Sequence, residues 1–283
     1  VWLKITRIGD HTFSASSTDG TKWRPAYDVI VPGLPPTILA GFVVTSHMGD
    51  RLHSATFDQI NLTPLPAESQ ETLAIAAEPL PAKALATEKR FVPIDMTAVF
   101  SASTRRGLFN NNPADLPLAK TGLIKVGKSP FLVRDPEKGN NALVLKGGVD
   151  QTRQYPQRVE IPVKNLKIQA LSFLGGVAAF GFPWGDDSHY ELPVYKVIVV
   201  FADGRTEELL FKNGVEICDH VAPIILPGAK MVEKLVEPGR FVNLIERKLT
   251  RPGMVTKLIV EGFDVMIAPV ILSITAELAP GTP

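Results

Sequence analysis

The sequence predicts an all-β protein, two β-sandwich (jelly-roll-like) units joined by a Pro/Ala-rich linker. Three observations predict it. Turn dipeptides recur along the chain, among them Asp19-Gly20, Gly147-Gly148, Asp203-Gly204, Asn213-Gly214 and Pro252-Gly253. The segments between them are short and rich in β-branched and aromatic residues. No stretch of the two β-rich regions shows a helical period. A chain of 283 residues is long for one domain and comfortable for two.

In chain order, the first unit spans residues 1–62. Trp2–Arg7 and Thr12–Ser16 read as strands around the turn Gly9-Asp10. Asp19-Gly20 is a hairpin signal, because glycine takes positive φ without steric cost. Trp23–Val31 follows, broken by Pro25. Ile38–Ser46 ("ILAGFVVTS") is an apolar run suited to a buried strand, and Ser54–Leu62 alternates in strand fashion. Roughly 60 residues of strand cannot bury both faces of two sheets alone. This unit is therefore expected to pack on the second or to complete a larger sandwich. Val1-Trp2-Leu3-Lys4 is not a signal peptide and reads as a strand already under way, which predicts a piece of a longer chain.

Residues 63–90 change composition, with four prolines, many alanines and glutamates and no aromatic residue before Phe91. They read as a linker, extended near its prolines, with a marginal helix over Glu71–Ala77 as the alternative. The second unit, 91–278, is β-rich again, and 279–283 is a tail. Its expected strands are Ala142–Lys146, Arg158–Val163, Ala170–Phe173, Val194–Phe201, Glu207–Lys212, Phe241–Leu249, Val255–Glu261 and Val270–Ala276. The strongest hairpin is Tyr195–Lys212, with Asp203-Gly204 at its turn.

Composition narrows the functions. Lys and Arg total 30 against 29 Asp and Glu. No basic stripe stands out, so nucleic-acid binding has no electrostatic support. No segment approaches the roughly 20 apolar residues of a membrane helix. One cysteine, Cys218, forbids an internal disulfide. A cytoplasmic chain and an exported bacterial domain both fit that count. No Cys–His spacing suggests zinc.

Some stretches look like known families. "WLKITRIGDHTFSASSTDGTKW" and "LAGFVVTSHMGDRLHSATFDQINL" resemble the C-terminal half of concanavalin-like (laminin-G-type) sandwiches found in secreted, multidomain bacterial proteins. The segments 159–181, 195–220 and 255–277 resemble a galactose-binding-like jelly roll, similar to carbohydrate-binding modules attached to glycoside hydrolases. The resemblance implies an extracellular or periplasmic location, a carbohydrate partner, and attached catalytic or anchoring domains in the parent chain. It implies no cofactor beyond the structural calcium common in similar jelly rolls, for which no ligand motif is present.

The candidate site is the loop Trp184–Tyr190. Trp184 and Tyr190 offer flat apolar faces beside Asp186, Asp187 and His189. That combination suits a sugar ring with its C–H face and polar rim. Asn213 is added as a further hydrogen-bonding group. The bland reading is a solvated loop. Catalysis by Asp186 and Asp187 fits poorly, because glycosidase carboxyls oppose each other across roughly 5–10 Å and these two are neighbours. Asp186–His189 could also ligate calcium or zinc. Arg105-Arg106 could meet an anionic sugar or form a solvated edge, and Asn110–Asn112 reads as a polar turn. Gly147-Gly148 and Gly175-Gly176 precede no Lys-Ser/Thr and mark bulges or close backbone approach. Cys218 is expected to be buried beside an exposed Asp219-His220 turn rather than to act as a nucleophile. Trp2, Trp23 and Phe42 read as core residues. The expected function is noncatalytic carbohydrate binding. The alternatives are a structural or protein-docking module and, last, a glycan-active hydrolase using Asp187 or His189.

Overall fold

Two long, bent strands organise the structure. A computed structural model describes residues 1–46, 49–50, 52–65, 74–81, 90–109, 115–148, 150–179, 181–183, 187–221 and 224–281. The N-terminal strands β1 (Trp2–Ile8), β2 (His11–Ser17) and β3 (Arg24–Ile30) form an antiparallel sheet of their own. The remaining strands share one curled 11-stranded sheet: β4 (Ala74–Pro79), β5 (Phe91–Pro93), β6 (Gly122–Val126), β7 (Ser129–Val133), β8 (Leu143–Val144), β9 (Arg158–Ala179), β10 (Pro193–Phe201), β11 (Thr206–Lys212), β12 (Lys230–Glu233), β13 (Val242–Gly262) and β14 (Ala268–Leu278).

β9 and β13 pair along their lengths, from Arg158↔Glu261 to Gly175↔Asn243. At one end β13 also carries β10, which carries β11. At the other end β9 takes β14 while β13 takes β12. The sheet then continues through β4 and β6 to β7, which returns over β14. Thr275 Oγ1 donates to the Pro130 carbonyl at 2.5 Å, and the Ser129 and Ser172 hydroxyls meet at 3.2 Å.

Side-chain alternation explains the layering. Phe173, Ile245 and Ile271 face a core shared with Tyr195, Val197 and Phe211. Their neighbours Leu174, Leu244 and Leu272 face a second core with Ile124, Phe131 and Val133. The central layer is thus covered on both faces, and all 11 residues of β14 are buried. Stacking of Tyr195 on Phe211, with centroids 4.3 Å apart, fixes the β10–β11 hairpin against this layer. The turn follows its sequence: Gly204 has φ 85°, and the Asp203 carboxylate accepts from Arg205 N at 3.0 Å.

The all-β, sandwich-like class is as the sequence predicts, and several elements differ from expectation. Ile38–Ser46 and Ser54–Leu62 form no strand among the described residues. Val43 is 90% exposed and Leu62 99%, and the Phe42 ring stacks on Phe57, at 4.4 Å. Among the described residues of 1–62 the strands form one three-stranded sheet, β1-β2-β3. Trp2 and Phe42 are exposed rather than core. Within residues 63–90, Ala74–Pro79 is neither linker nor helix. It is β4, paired in parallel with β12, with Ala77 sealed in the core. Residues 66–73 and 82–89 lie outside the described residues. The expected turn at Pro252-Gly253 is instead a register shift inside β13, where the Phe201 ring occupies the space a Gly253 side chain would need.

A buried acid is among the groups that dock the N-terminal sheet. Asp28 on β3, 3% exposed, accepts from Ser14 N at 3.3 Å and, across the interface, from Ile225 N at 2.8 Å. Burial pushes its carboxyl up to about 7, more than those two donors pull it down. The unfolded chain releases this proton near 3.8 and the fold holds it to about 7. Stability from Asp28 is therefore full below the lower value and lost as pH rises through the higher. Thermal unfolding should show it: the melting temperature of the native chain relative to Asp28→Asn should fall from pH 5 to pH 8. A flat difference would contradict this account.

Candidate functional site

The predicted loop is anchored from beneath. Asn213, just after β11, is fully buried and spends both ends of its amide on backbone. Its Oδ1 accepts from Phe182 N at 2.8 Å, and its Nδ2 donates to the His189 carbonyl at 2.8 Å. Its own backbone bonds Glu191 and Leu192. Asn213 therefore has no surface to offer a ligand. It fixes the loop, which corrects its assignment as a contact residue. An amide does both jobs with the same donor and acceptor, so the sequence does not separate them.

Tyr190 is half-buried. Its ring tilts against Phe182 at 5.4 Å, and the bare Gly214 leaves room where a Cβ would lie 2.5 Å from Cδ2. The Arg24 guanidinium, from the N-terminal sheet, lies 5.4 Å from the centroid of the same ring. Burial, then Glu191, pushes the phenol up, with Arg24 opposing. The ring is thus a joint between the sheet and the loop. His189 is half-buried, closing the short 3-10 turn Asp187–His189, and its Nδ1 is enclosed without a hydrogen-bond partner among the described residues. Trp184 and Asp186 lie outside the described residues, as do Asn110–Asn112, and nothing is described of the Asp187 side chain.

Behind this loop, Cys218, Asp219 and His220 are all buried, so the expected exposed Asp219-His220 turn is not found. Burial pushes the Cys218 thiol up to about 12, leaving it protonated at neutral pH, and it receives the Asn243 amide at 3.5 Å. Burial pushes His220 down to about 4, and its ring packs on Phe109 at 5.1 Å.

A second place gathers more polar groups. Between the loop Ser103–Arg106 and the turn Pro136–Asn140 lies an open cleft of about 450 Å³, lined by Ser103, Arg105, Arg106, Pro136, Glu137, Gly139 and Asn140. Its two walls are stapled together at their base. Ala102 and Ala142 exchange two backbone hydrogen bonds of 3.0 Å. Asn141, fully buried, accepts from Thr104 N at 2.8 Å and donates to Thr104 Oγ1 at 2.9 Å and to the Arg134 carbonyl at 3.2 Å. On the turn, the Asp135 carboxylate accepts from Glu137 N at 2.9 Å. Glu137 reaches across to pair with Arg105, joining the two walls at the rim. The sequence shows Arg105-Arg106 and a Lys-Gly-Asn-Asn turn. It does not show that a bridge formed 40 residues apart, Ala102 to Ala142, brings them together.

No family model, curated protein or solved structure matches the chain. What the cleft can do follows from its groups. It presents hydroxyl, amide, guanidinium and carboxylate functions on a fixed frame, with Pro136 as an apolar strip. Its size falls within the roughly 300–1,000 Å³ of small-molecule sites. Such a lining suits a ligand dense in hydroxyls. Among the described residues, no three His, Cys, Asp or Glu side chains cluster closely enough to hold a metal ion, and no helix is long and apolar enough to cross a membrane.

Proposed function

We propose that this chain is a noncatalytic carbohydrate-binding module of a larger, exported bacterial protein, gripping glycan at loop tips of its main β structure. The resemblance of residues 91–278 to galactose-binding-like modules agrees with this reading, as does the sandwich-like architecture of the main sheet. The observation that carries it is the stapled polar cleft between Ser103–Arg106 and Pro136–Asn140. Its hydrogen-bonding groups are held in place before a ligand arrives, which lowers the entropic cost of binding. The Trp184–Tyr190 loop is the second proposed contact, with Trp184 as its stacking face and Asp186, Asp187 and His189 beside it. Affinity at one shallow site is expected to be modest and to improve by tandem display in the parent.

Affinity electrophoresis against a broad polysaccharide panel tests the reading. Retardation by at least one glycan, weakened in a Trp184→Ala or Ser103→Ala chain, is expected. Free migration in every gel would overturn it.

A docking role is the second reading, favoured by one observation. Leu3 (64% exposed), Ile5 (70%) and Val29 (43%) are exposed apolar side chains on the N-terminal sheet, beside Thr12, Ser14 and Ser16 of its middle strand.

A further inference from the structure

The cleft's charge narrows its ligand. We infer that it selects an acidic sugar, a ring carrying a carboxylate or a sulfate ester, with the Arg106 guanidinium as the anion's partner. This rests on the carbohydrate reading above and adds a ligand class to it.

Three features lead there. Arg105 and Arg106 stand side by side on one wall, both exposed. Arg105 is taken by Glu137, a pairing that neutralises that acid and orients the Arg105 plane across the rim. Arg106 forms no ion pair among the described residues, so the lining keeps one uncompensated positive charge. Its backbone is nevertheless fixed, because Arg106 N donates to the Ser103 carbonyl at 3.1 Å and Arg105 N to Ser103 Oγ at 3.4 Å. A planar fork of donors carried on a held backbone matches a planar or tetrahedral anion better than it matches a hydroxyl.

The remaining groups fit the rest of a sugar. The Asn140 Nδ2 donates to the Phe100 carbonyl at 3.3 Å, which leaves its Oδ1 to accept from ring hydroxyls. Pro136 supplies an apolar edge for C–H groups. Positive charge without such flanking groups would be a mere electrostatic patch. Here the polar partners and the charge share one cleft.

Isothermal titration of the intact chain tests this with matched pairs. One pair is an oligogalacturonate and its methyl ester; the other is a sulfated galactan oligosaccharide and its desulfated form. The acidic member of at least one pair should bind about ten-fold tighter or more, the range of a charge-assisted hydrogen bond. The pair that discriminates identifies the anion. Discrimination should vanish in Arg106→Gln, persist in Arg251→Gln, which removes an exposed charge on β13 outside the cleft, and weaken between about 50 and 300 mM salt as expected for an exposed charge. Equal binding of acidic and neutral members would overturn the acidic-sugar assignment and leave the carbohydrate reading standing. Discrimination that survives Arg106→Gln, in a chain whose melting temperature is unchanged, would also overturn it. Absence of binding to every saccharide would overturn both.

Discussion

A Gly147→Ala chain should lose about 3 kcal/mol or more of stability and melt roughly 6–12 °C lower. Gly147 follows β8 and crosses beneath the strand-end segment before β14. A Cβ there would sit 2.1 Å from the Ile267 carbonyl oxygen and 3.1 Å from that of Val265. Both obstacles are backbone, so no rotamer change relieves the clash. Nor can the segment drift away, because Gly148 N donates to the Val265 carbonyl at 2.9 Å and Thr152 holds the Gly147 carbonyl. Gly41→Ala, where nothing lies within 4 Å, is the control and should change the melting temperature by little. Calorimetry of the two variants side by side checks the expectation; equal melting temperatures would contradict it.

Asn141→Ala is expected to act twice. The deletion strands Thr104 N, Thr104 Oγ1 and the Arg134 carbonyl in a region where Thr104 is 1% exposed. Buried groups without partners cost about 1–3 kcal/mol each at most, so a loss of roughly 2–4 kcal/mol is anticipated. The same bonds hold the cleft walls in register. Saccharide affinity should therefore fall about ten-fold even at a temperature where the variant remains folded, since a 1 Å loosening of positioned groups is enough to lose binding. Thermal melts and titration on one sample separate the two effects. A destabilised chain with native affinity would show that the staple supports the fold and not the cleft.

How far the sequence carried the structure depends on whether each feature is local. The β10–β11 hairpin is set by Asp203-Gly204 and the alternation on either side, all within one short stretch, and it forms as read. The glycine pairs were also legible. Gly147 is a close backbone approach, and Gly176 is a bulge: Gly175 faces Ile271 and Val177 faces Val270, so Gly176 is passed over. Breaks inside long strands were not legible as such. Asn165 and Gly253 carry the same residue types as a turn, and only pairing across β9 and β13 shows that the strands continue.

Non-local partners account for the rest. β4 is built from alanines of low strand propensity, and its place beside β12 overrides that preference. Ile38–Ser46 shows the converse, since apolar density makes a strand able to be buried without supplying the surface that buries it. At the site, Asn213 and Asn141 looked like any polar turn residues. Their role as buried latches appears only when the backbone groups they reach are placed. The crowded Trp184–Tyr190 loop drew attention by composition, whereas the cleft assembles from two unremarkable turns.

Under the proposed function, a saccharide settles between the two stapled walls. Two-dimensional amide NMR of the isotopically labelled chain, titrated with any glycan that retards it in gels, tests this directly. The largest shifts should fall on Ser103–Arg106 and Gly139–Asn140, with Ala102 and Ala142 moving less because their mutual bridge persists. Shifts confined to the exposed face of β1, or to the buried strands of the central layer, would contradict it.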